Sequence, residues 1–288
     1  MPGGSGERRP NILLFVADGL QGAALREGSG VIAPNARALA ARGVHVLNAY
    51  TPLPTCSPAR ASLFTGMLPH NHGVIQVEHG VDQDQAVLRG HCPHWAQLLQ
   101  AQGGYHTGLY GKWHVERSGE LHDFGWTEYA SLGARDHAAT SQQGTSTYES
   151  LDPALTRYHT RPAGYNDQIH FAVTDIPPSE RGVSAPVDHA LEFLRARRRQ
   201  ATDAATAAAA PPWCCVASFY EPNEAMIVGR EAYDLYDEDA IELPISLRGD
   251  DLSDKPNIYR REAQIFSGLS DAEWRRARAC YYGRIPSV

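Results

Sequence analysis

Five consecutive residues, Cys56-Ser57-Pro58-Ala59-Arg60, carry the densest chemistry in this sequence. Proline is favoured at the first position of a helix, because its fixed φ suits the helix and its missing N–H would have no partner there. With Pro58 in that place, Cys56 sits just before a helix N-terminus, where free N–H groups and the helix dipole favour an anion. Arg60, one turn in, can add a charge-assisted contact to an anionic oxygen. Gly111-Lys112-Trp113-His114 follows an expected strand over 105–110, and residues two apart in an extended chain share a face. A lysine with a histidine two residues on suits an anion clamp with a proton-transfer group. Asp18 closes the first apolar run and is of a type that ligates metals. Each segment stays open when read alone: Cys56 is equally a small buried residue, Arg60 a surface charge, Lys112 and His114 two solvated side chains, and Asp18 a turn cap.

The elements that must position these groups can be read from pattern. Residues 11–17 (NILLFVA) form a continuous apolar run ending at Asp18-Gly19. This is the pattern of a buried parallel strand with a polar residue at its carboxyl end, the end where open α/β sheets bind ligands. Pro34-Asn35 opens a short helix stopped by Gly43, and 44–50 is a second expected strand. Pro52, Pro54 and Pro58 break a loop around Cys56, and a helix is expected over 59–64, ending near Gly66. A helix carrying Trp95, Leu98 and Leu99 stops at Gly103-Gly104 and leads into a strand over 105–110. Residues 115–180 show no clean period and are expected to be an irregular insertion, as are 220–260. A helix is expected over 187–199, an exposed helix end or linker over the alanine-rich 201–210, a buried strand over 213–220 (WCCVASFY), and a last helix over 271–282. Strands alternating with helices call for an α/β fold, a mostly parallel sheet sandwiched by helices.

The 288 residues, 42% hydrophobic and 20% charged, suffice for a sizeable core without disulfide or metal staples. A formal net charge of −7 argues against whole-surface binding to nucleic acid or to anionic membranes. No run approaches the roughly 18–20 apolar residues of a membrane helix. The apolar run behind the polar N-terminus is too short for a signal peptide, so a cytoplasmic protein is expected, with disorder over 1–8. Five scattered cysteines imply no disulfide framework. His91, Cys92 and His94 lack the second pair that a zinc site needs. Cys214 and Cys215, adjacent on a strand, read as core filler on opposite faces. The arginines within 195–199 read as the solvated end of a helix.

Taken together, these segments resemble the sulfatase family in order and spacing. The resemblance runs through residues 9–16 with Asp18, Pro34-Asn35 to Gly43, Asn48-Ala49-Tyr50, Cys-x-Pro-x-Arg at 56–60 with Ser62 to Gly66, His72-Gly73-Val74, and Gly-Lys-Trp-His at 111–114. It is densest over 9–125 and returns more thinly at Ser218-Phe219, at 251–256 and at 281–285. It implies an alkaline-phosphatase-like fold, with 9–288 as the N-terminal catalytic domain of a sulfatase, C-terminally incomplete. It also implies a mechanism. A formylglycine-generating enzyme reads the motif and oxidises its cysteine to an aldehyde. One hydroxyl of the aldehyde hydrate attacks the sulfur of a small-molecule or carbohydrate sulfate ester, the alcohol leaves, and the second hydroxyl expels sulfate.

By this resemblance Cys56 is the precursor of the nucleophile and a contact of the metal. Arg60 holds the hydrate and the metal-site carboxylates, Lys112 contacts sulfate and nucleophile, and His114 assists hemiacetal breakdown. Asp18 binds a divalent cation, Ca²⁺ in most of the family, a hard ion that prefers carboxylate oxygen. Three departures stand beside it. Gly19 occupies a place where many sulfatases have a second acid. Pro222-Asn223 replaces a Pro-His, and asparagine cannot act as an acid near neutral pH. The family's second acidic metal pair and a following lysine are expected beyond the last helix. Two further readings follow: a phosphate or phosphonate ester hydrolase of the same superfamily, which suits Asp18-Gly19, and a catalytically inactive, truncated sulfatase-like protein, which suits Asn223.

Overall fold

A computed structural model describes residues 9–132, 171–177, 185–203, 205, 207–223 and 226–285, with the backbone of 156–158. Its elements run β1 (Ile12–Asp18), α1 (Pro34–Arg42), α2 (Cys56–Thr65), α3 (Pro69–His72), α4 (Trp95–Gly103), β2 (His106–Lys112), β3 (Glu128–Leu132), β4 (Thr156–Tyr158), β5 (Phe171–Thr174), α5 (Ala185–Thr202), β6 (Trp213–Pro222), β7 (Met226–Gly229), α6 (Arg230–Tyr233), α7 (Ser246–Gly249), α8 (Asn257–Ile265) and α9 (Asp271–Arg284). Two compact units divide the chain, one of residues 1–18, 49–138 and 182–220, the other of 19–48, 139–181 and 221–288. No helix among the described residues is long and apolar enough to cross a membrane.

The first unit is built on a sheet of order β1-β6-β2-β3. β2 lies parallel to both neighbours, with Leu109 opposite Val216 and Tyr129. Both β2 and β6 are buried along nearly their whole length, which is why β6 reads as a nearly continuous apolar run rather than an alternating one. On one face Leu109 and Val216 pack with Ala61 and Phe64 of α2 and Ala96 of α4. On the other, Tyr110, Cys215, Ala217 and Phe219 meet Ala190 and Phe193 of α5. Cys214 and Cys215 are fully buried, and burial pushes both thiols up to about 12, so they are core residues as expected. Of the clustered arginines, Arg195, Arg198 and Arg199 are exposed, while Arg197 lies 3.4 Å from Glu128.

β1 departs from the expected fully buried strand. It ends the sheet, so Leu13 and Phe15 remain 41% and 58% exposed. Residues 44–50 form no strand. They are irregular, with Val44, Val46, Leu47 and Tyr50 exposed, because β-branched composition makes a strand only where a partner strand completes the ladder. Nor is 115–180 wholly irregular. β3 within it pairs with β2, and β5 pairs with β7. Strands of four or five residues are too short to show a period. The expected disorder over 1–8 lies outside the described residues, as does most of 133–184.

In the second unit, β5 runs antiparallel to β4 and parallel to β7. α9 begins with a capping box in which Ser270 and Glu273 satisfy each other's backbone N–H groups. It buries Ala277 and Cys280 against Phe171, Val173 and Val228.

Within His91-Cys92-Pro93-His94, the last residue has a structural role. His94 is the N-cap of α4, accepting from the Ala96 N–H, and it stacks on Phe64 at 5.4 Å. Only 1% of it is exposed, and burial alone pulls its pKa from 6.5 to about 3. The fold therefore holds the neutral ring, while the unfolded chain takes up the proton. The stability contributed by this group is complete above pH 6.5 and is lost as pH falls from there toward 3. Asparagine also caps helices but does not titrate. His94→Asn should thus flatten the pH dependence of unfolding free energy between about pH 6 and 4 by roughly 1 kcal/mol per unit. Denaturant titrations across that range check it, and an unchanged slope would assign the acid sensitivity to other groups.

Candidate active site

α2 positions the first part of the site. Thr55 is its N-cap, Gly66 ends it at φ 70°, and its first intrahelical bond runs from the Ala59 N–H to the Thr55 carbonyl, 2.9 Å. The helix therefore starts at Cys56, two residues earlier than expected. Pro58 falls in the third helical position, still among those whose N–H needs no intrahelical partner. Cys56 lies inside the first turn rather than ahead of it.

From α2 and the strands, five side chains converge: Asp18, Cys56, Arg60, Lys112 and Ser218. Asp18 closes β1, Lys112 closes β2, and Ser218 comes from β6. Arg60 Nη2 stands 3.0 Å from Asp18 Oδ2, and Lys112 Nζ stands 2.7 Å from the same oxygen. Arg60 Nη1 donates to the Lys112 carbonyl at 2.8 Å and to Ser218 Oγ at 2.7 Å, and that hydroxyl donates to the same carbonyl at 2.7 Å. Cys56 Sγ faces the other carboxylate oxygen, Oδ1, at 3.5 Å. Lys112 also lies over the Tyr220 ring, 4.9 Å from its centroid. Asp18, Arg60 and Lys112 are 8%, 4% and 0% exposed. Gly111 permits this closeness, since at φ 98° it turns the end of β2, and a Cβ there would overlap the Ser218 carbonyl oxygen.

The electrostatics follow from burial and pairing. Burial opposes ionisation of Asp18, but Arg60 and Lys112 together hold its carboxyl below the usual carboxylate range. Burial pulls Lys112 down, against the pull of Asp18. Burial, assisted by the Asp18 charge, pushes the Cys56 thiol up, against Lys112 and Arg60. Cys56 is thus held as a thiol, the opposite of the low-pKa state of a cysteine that attacks as its own thiolate.

His114 belongs to an adjoining group. It takes a left-handed backbone, φ 51°, so the extension expected to align it with Lys112 stops. Far from being solvated, it is 2% exposed. Its Nε2 stands 3.0 Å from Oε2 of Glu78, which is fully buried. Ser57, next to Cys56, donates to the same oxygen at 3.1 Å. His79 Nδ1 lies 3.3 Å from that oxygen and 3.1 Å from His114 Nε2, and the two imidazoles stack at 5.2 Å. Burial would raise the Glu78 pKa, but the two histidines hold it far below the usual range. Burial lowers His114, against Glu78.

The structure thus brings Asp18, Cys56, Arg60 and Lys112 into one hydrogen-bonded cluster and ties His114 to it through Glu78 and Ser57. Ser57, Glu78 and His79 were missed in the sequence, where Glu78-His79 is a polar pair in a loop without a period. Ser218 carried only a thin family likeness.

The first cluster offers calcium few donors. Among the described residues Asp18 belongs to no group of three or more His, Cys, Asp or Glu donor atoms, and its Oδ2 already meets two cations. Gly19 adds no side chain, and at φ 72° a Cβ there would come within 3.2 Å of the Asn223 Cα. Calcium needs about six to eight oxygens, so the side chains described here do not fit that ion. A possible metal-binding group does exist, but it is Glu78, His79 and His114.

Comparison with known proteins places the chain in a family. The Sulfatase family model matches residues 10–174, more than half the chain. The choline-sulfatase of Rhizobium meliloti is 28% identical over 297 residues, covering 96% of this chain and 51% of that protein. An arylsulfatase of Clostridium perfringens is 26% identical over 306 residues, covering 97% of this chain and 57% of that protein. Among solved structures, the phosphonate monoester hydrolase of Agrobacterium radiobacter superposes with a TM-score of 0.64 at 21% identity, over 97% of this chain and 57% of its own. The fold is accordingly alkaline-phosphatase-like, and the chain spans about half the length of the curated relatives it matches. Asp18, Cys56, Arg60, Lys112 and His114 all lie within the matched segment, and the chain belongs to the sulfatase family.

Proposed function

We propose that the protein is a sulfuric ester hydrolase acting through a formylglycine made from Cys56, with a small-molecule or carbohydrate sulfate ester as substrate and a formylglycine-generating enzyme as maturation partner. One observation carries this reading. The motif cysteine sits in the first turn of a helix, its Sγ 3.5 Å from Asp18 Oδ1 and beside two buried cations, where burial pushes its thiol pKa up. That is a poor arrangement for cysteine as nucleophile and a good one for an oxygen nucleophile attacking an anionic ester. Formylglycine supplies, when formed, the hydroxyl that attacks.

The chain's own residues do the rest. Arg60 and Lys112 place positive charge where negative charge builds up on the transferring group, in a site largely closed to water. Lys112 keeps N–H donors for a sulfate oxygen beyond the one aimed at Asp18. Asp18 fixes both cations through one oxygen. Glu78 orients the His114 ring, which handles the proton as the hemiacetal breaks down. Asp18 Oδ1 is the donor this cluster offers a calcium ion. Among the described residues it belongs to no group of three or more such donors.

A second reading, phosphate or phosphonate ester hydrolysis, is favoured by Gly19 and by the likeness to a phosphonate monoester hydrolase fold. The test is turnover of matched aryl sulfate and aryl phosphate esters with added Ca²⁺. The chain is co-expressed with a formylglycine-generating enzyme, and conversion of the Cys56 peptide is confirmed by mass spectrometry. Sulfate turnover exceeding phosphate turnover by at least about tenfold, a difference of about 1.4 kcal/mol in barrier, is expected. The reverse ratio would establish the second reading. Turnover of neither ester by converted protein would establish a catalytically inactive sulfatase-like protein.

A further inference from the structure

We propose that Glu78, His79 and His114 form a binding site for a zinc-type transition-metal ion, separate from any calcium bound at Asp18. Three donor atoms face one another: Glu78 Oε2 and His114 Nε2 are 3.0 Å apart, His114 Nε2 and His79 Nδ1 3.1 Å, and His79 Nδ1 and Glu78 Oε2 3.3 Å. Hydrogen bonds join atoms in pairs, whereas one cation accounts for all three contacts together. Ligands on a tetrahedral ion with bonds of about 2.0–2.1 Å stand about 3.3 Å apart, so the triangle is close to the size required. Among the described residues no other group of three or more histidine, cysteine or carboxylate donors converges in this way.

A second observation points to a ligand independently. Glu78 is 0% exposed, and its other oxygen, Oε1, has no hydrogen-bond partner. A fully buried carboxylate with an unsatisfied oxygen is costly, and an ion bound at Oε2 neutralises the charge and brings Oε1 within reach of bidentate ligation. Ser57, donating to Oε2 at 3.1 Å, fixes the carboxylate as an outer-shell partner does. His79, 47% exposed, opens the site to solvent.

The donor set selects the ion. Two imidazoles and one carboxylate suit Zn²⁺, Co²⁺, Ni²⁺ or Cu²⁺ and are too nitrogen-rich for Ca²⁺. Three protein ligands leave a fourth position open. Occupancy engages His114 Nε2, so the metal replaces the direct contact with Glu78 that orients the ring. The binding itself rests on geometry alone and stands or falls apart from the formylglycine reading.

The experiment titrates the full chain, first stripped with a chelator, with Co²⁺ alone and then with Zn²⁺. One Co²⁺ per chain, with the visible absorption of a four-coordinate ion and displacement by Zn²⁺, is the expected result. Glu78→Gln and His79→Ala should each weaken binding by roughly a hundredfold, and Cys92→Ser should leave it unchanged. His79→Ala alters a half-exposed side chain, so its folding, followed by circular dichroism, guards against failure of the buried Glu78→Gln variant. The proposal is overturned by absence of stoichiometric binding, by thiolate-to-cobalt charge transfer that marks a cysteine ligand, or by full affinity in a folded His79→Ala protein.

Discussion

On the proposed formylglycine mechanism, replacing Cys56 with alanine is expected to reduce sulfate-ester turnover by at least about 10⁴-fold, the scale on which losing a covalent nucleophile acts, while leaving the fold in place. Structurally, the substitution is mild. Cys56 is half-buried at the first position of α2, and its one hydrogen bond is the long contact from Sγ to Asp18 Oδ1, 3.5 Å. Alanine is well tolerated in a helix, so stability should change by no more than about 1 kcal/mol. Chemically, the change is complete, because alanine cannot be oxidised to an aldehyde and the two-step path through a covalent intermediate disappears. Arg60, Lys112 and Asp18 stay in position, so any residual turnover measures what charge alone contributes. The comparison pairs aryl-sulfate kinetics of converted protein and of the variant with thermal melts of both. A Cys56→Ala protein that keeps even a tenth of the activity would remove Cys56 from the mechanism.

Arg60→Ala should be the most destabilising substitution in the site. The guanidinium is 4% exposed and holds three groups at once: Asp18 Oδ2, the Lys112 carbonyl and Ser218 Oγ. These come from the ends of β1 and β2 and from β6, so Arg60 ties α2 to three strands of the first unit. Removing it leaves a buried carboxylate with one cation instead of two. Breaking a buried pair from one side costs about 3–5 kcal/mol, which lowers the melting temperature by roughly 10 °C in a unit of this size. Arg60→Lys should recover only part of the loss, since an ammonium cannot span three acceptors in the plane of a guanidinium fork. Thermal and urea unfolding of both variants provide the measurement. A loss below about 1 kcal/mol for Arg60→Ala would mean that Lys112 alone neutralises Asp18.

Several elements were legible because their causes are local. The apolar run at 213–220 announces its strand, since a strand covered on both faces needs apolar residues at nearly every position, and the run at 11–17 announces β1 by the same composition although Leu13 and Phe15 stay exposed. Gly66 and Gly104, at φ 70° and 63°, end their helices where a left-handed backbone is needed. Cys-x-Pro-x-Arg lies within a single turn of helix, so sequence spacing already brings Cys56 and Arg60 together. The start of α2 was misplaced by two residues for a reason that is also local: proline is tolerated throughout the first turn, so Pro58 marks the turn but not its first residue.

What the sequence determined by itself, then, was the alternating α/β pattern, the helix that carries Cys56 and Arg60, and the sulfatase motifs. These rest on backbone preferences and burial, which act over a few residues. Only the tertiary structure decided that 44–50 forms no strand and that Glu128–Leu132 does, because strand formation depends on which edge lies free to pair. It likewise decided that Lys112 and His114 turn into separate clusters, that Ser218 meets Arg60 across 158 residues of chain, and that Glu78 and His79 meet His114 across some 35. Such contacts depend on how buried polar atoms find partners once the layers pack, and no period or propensity along the chain records them.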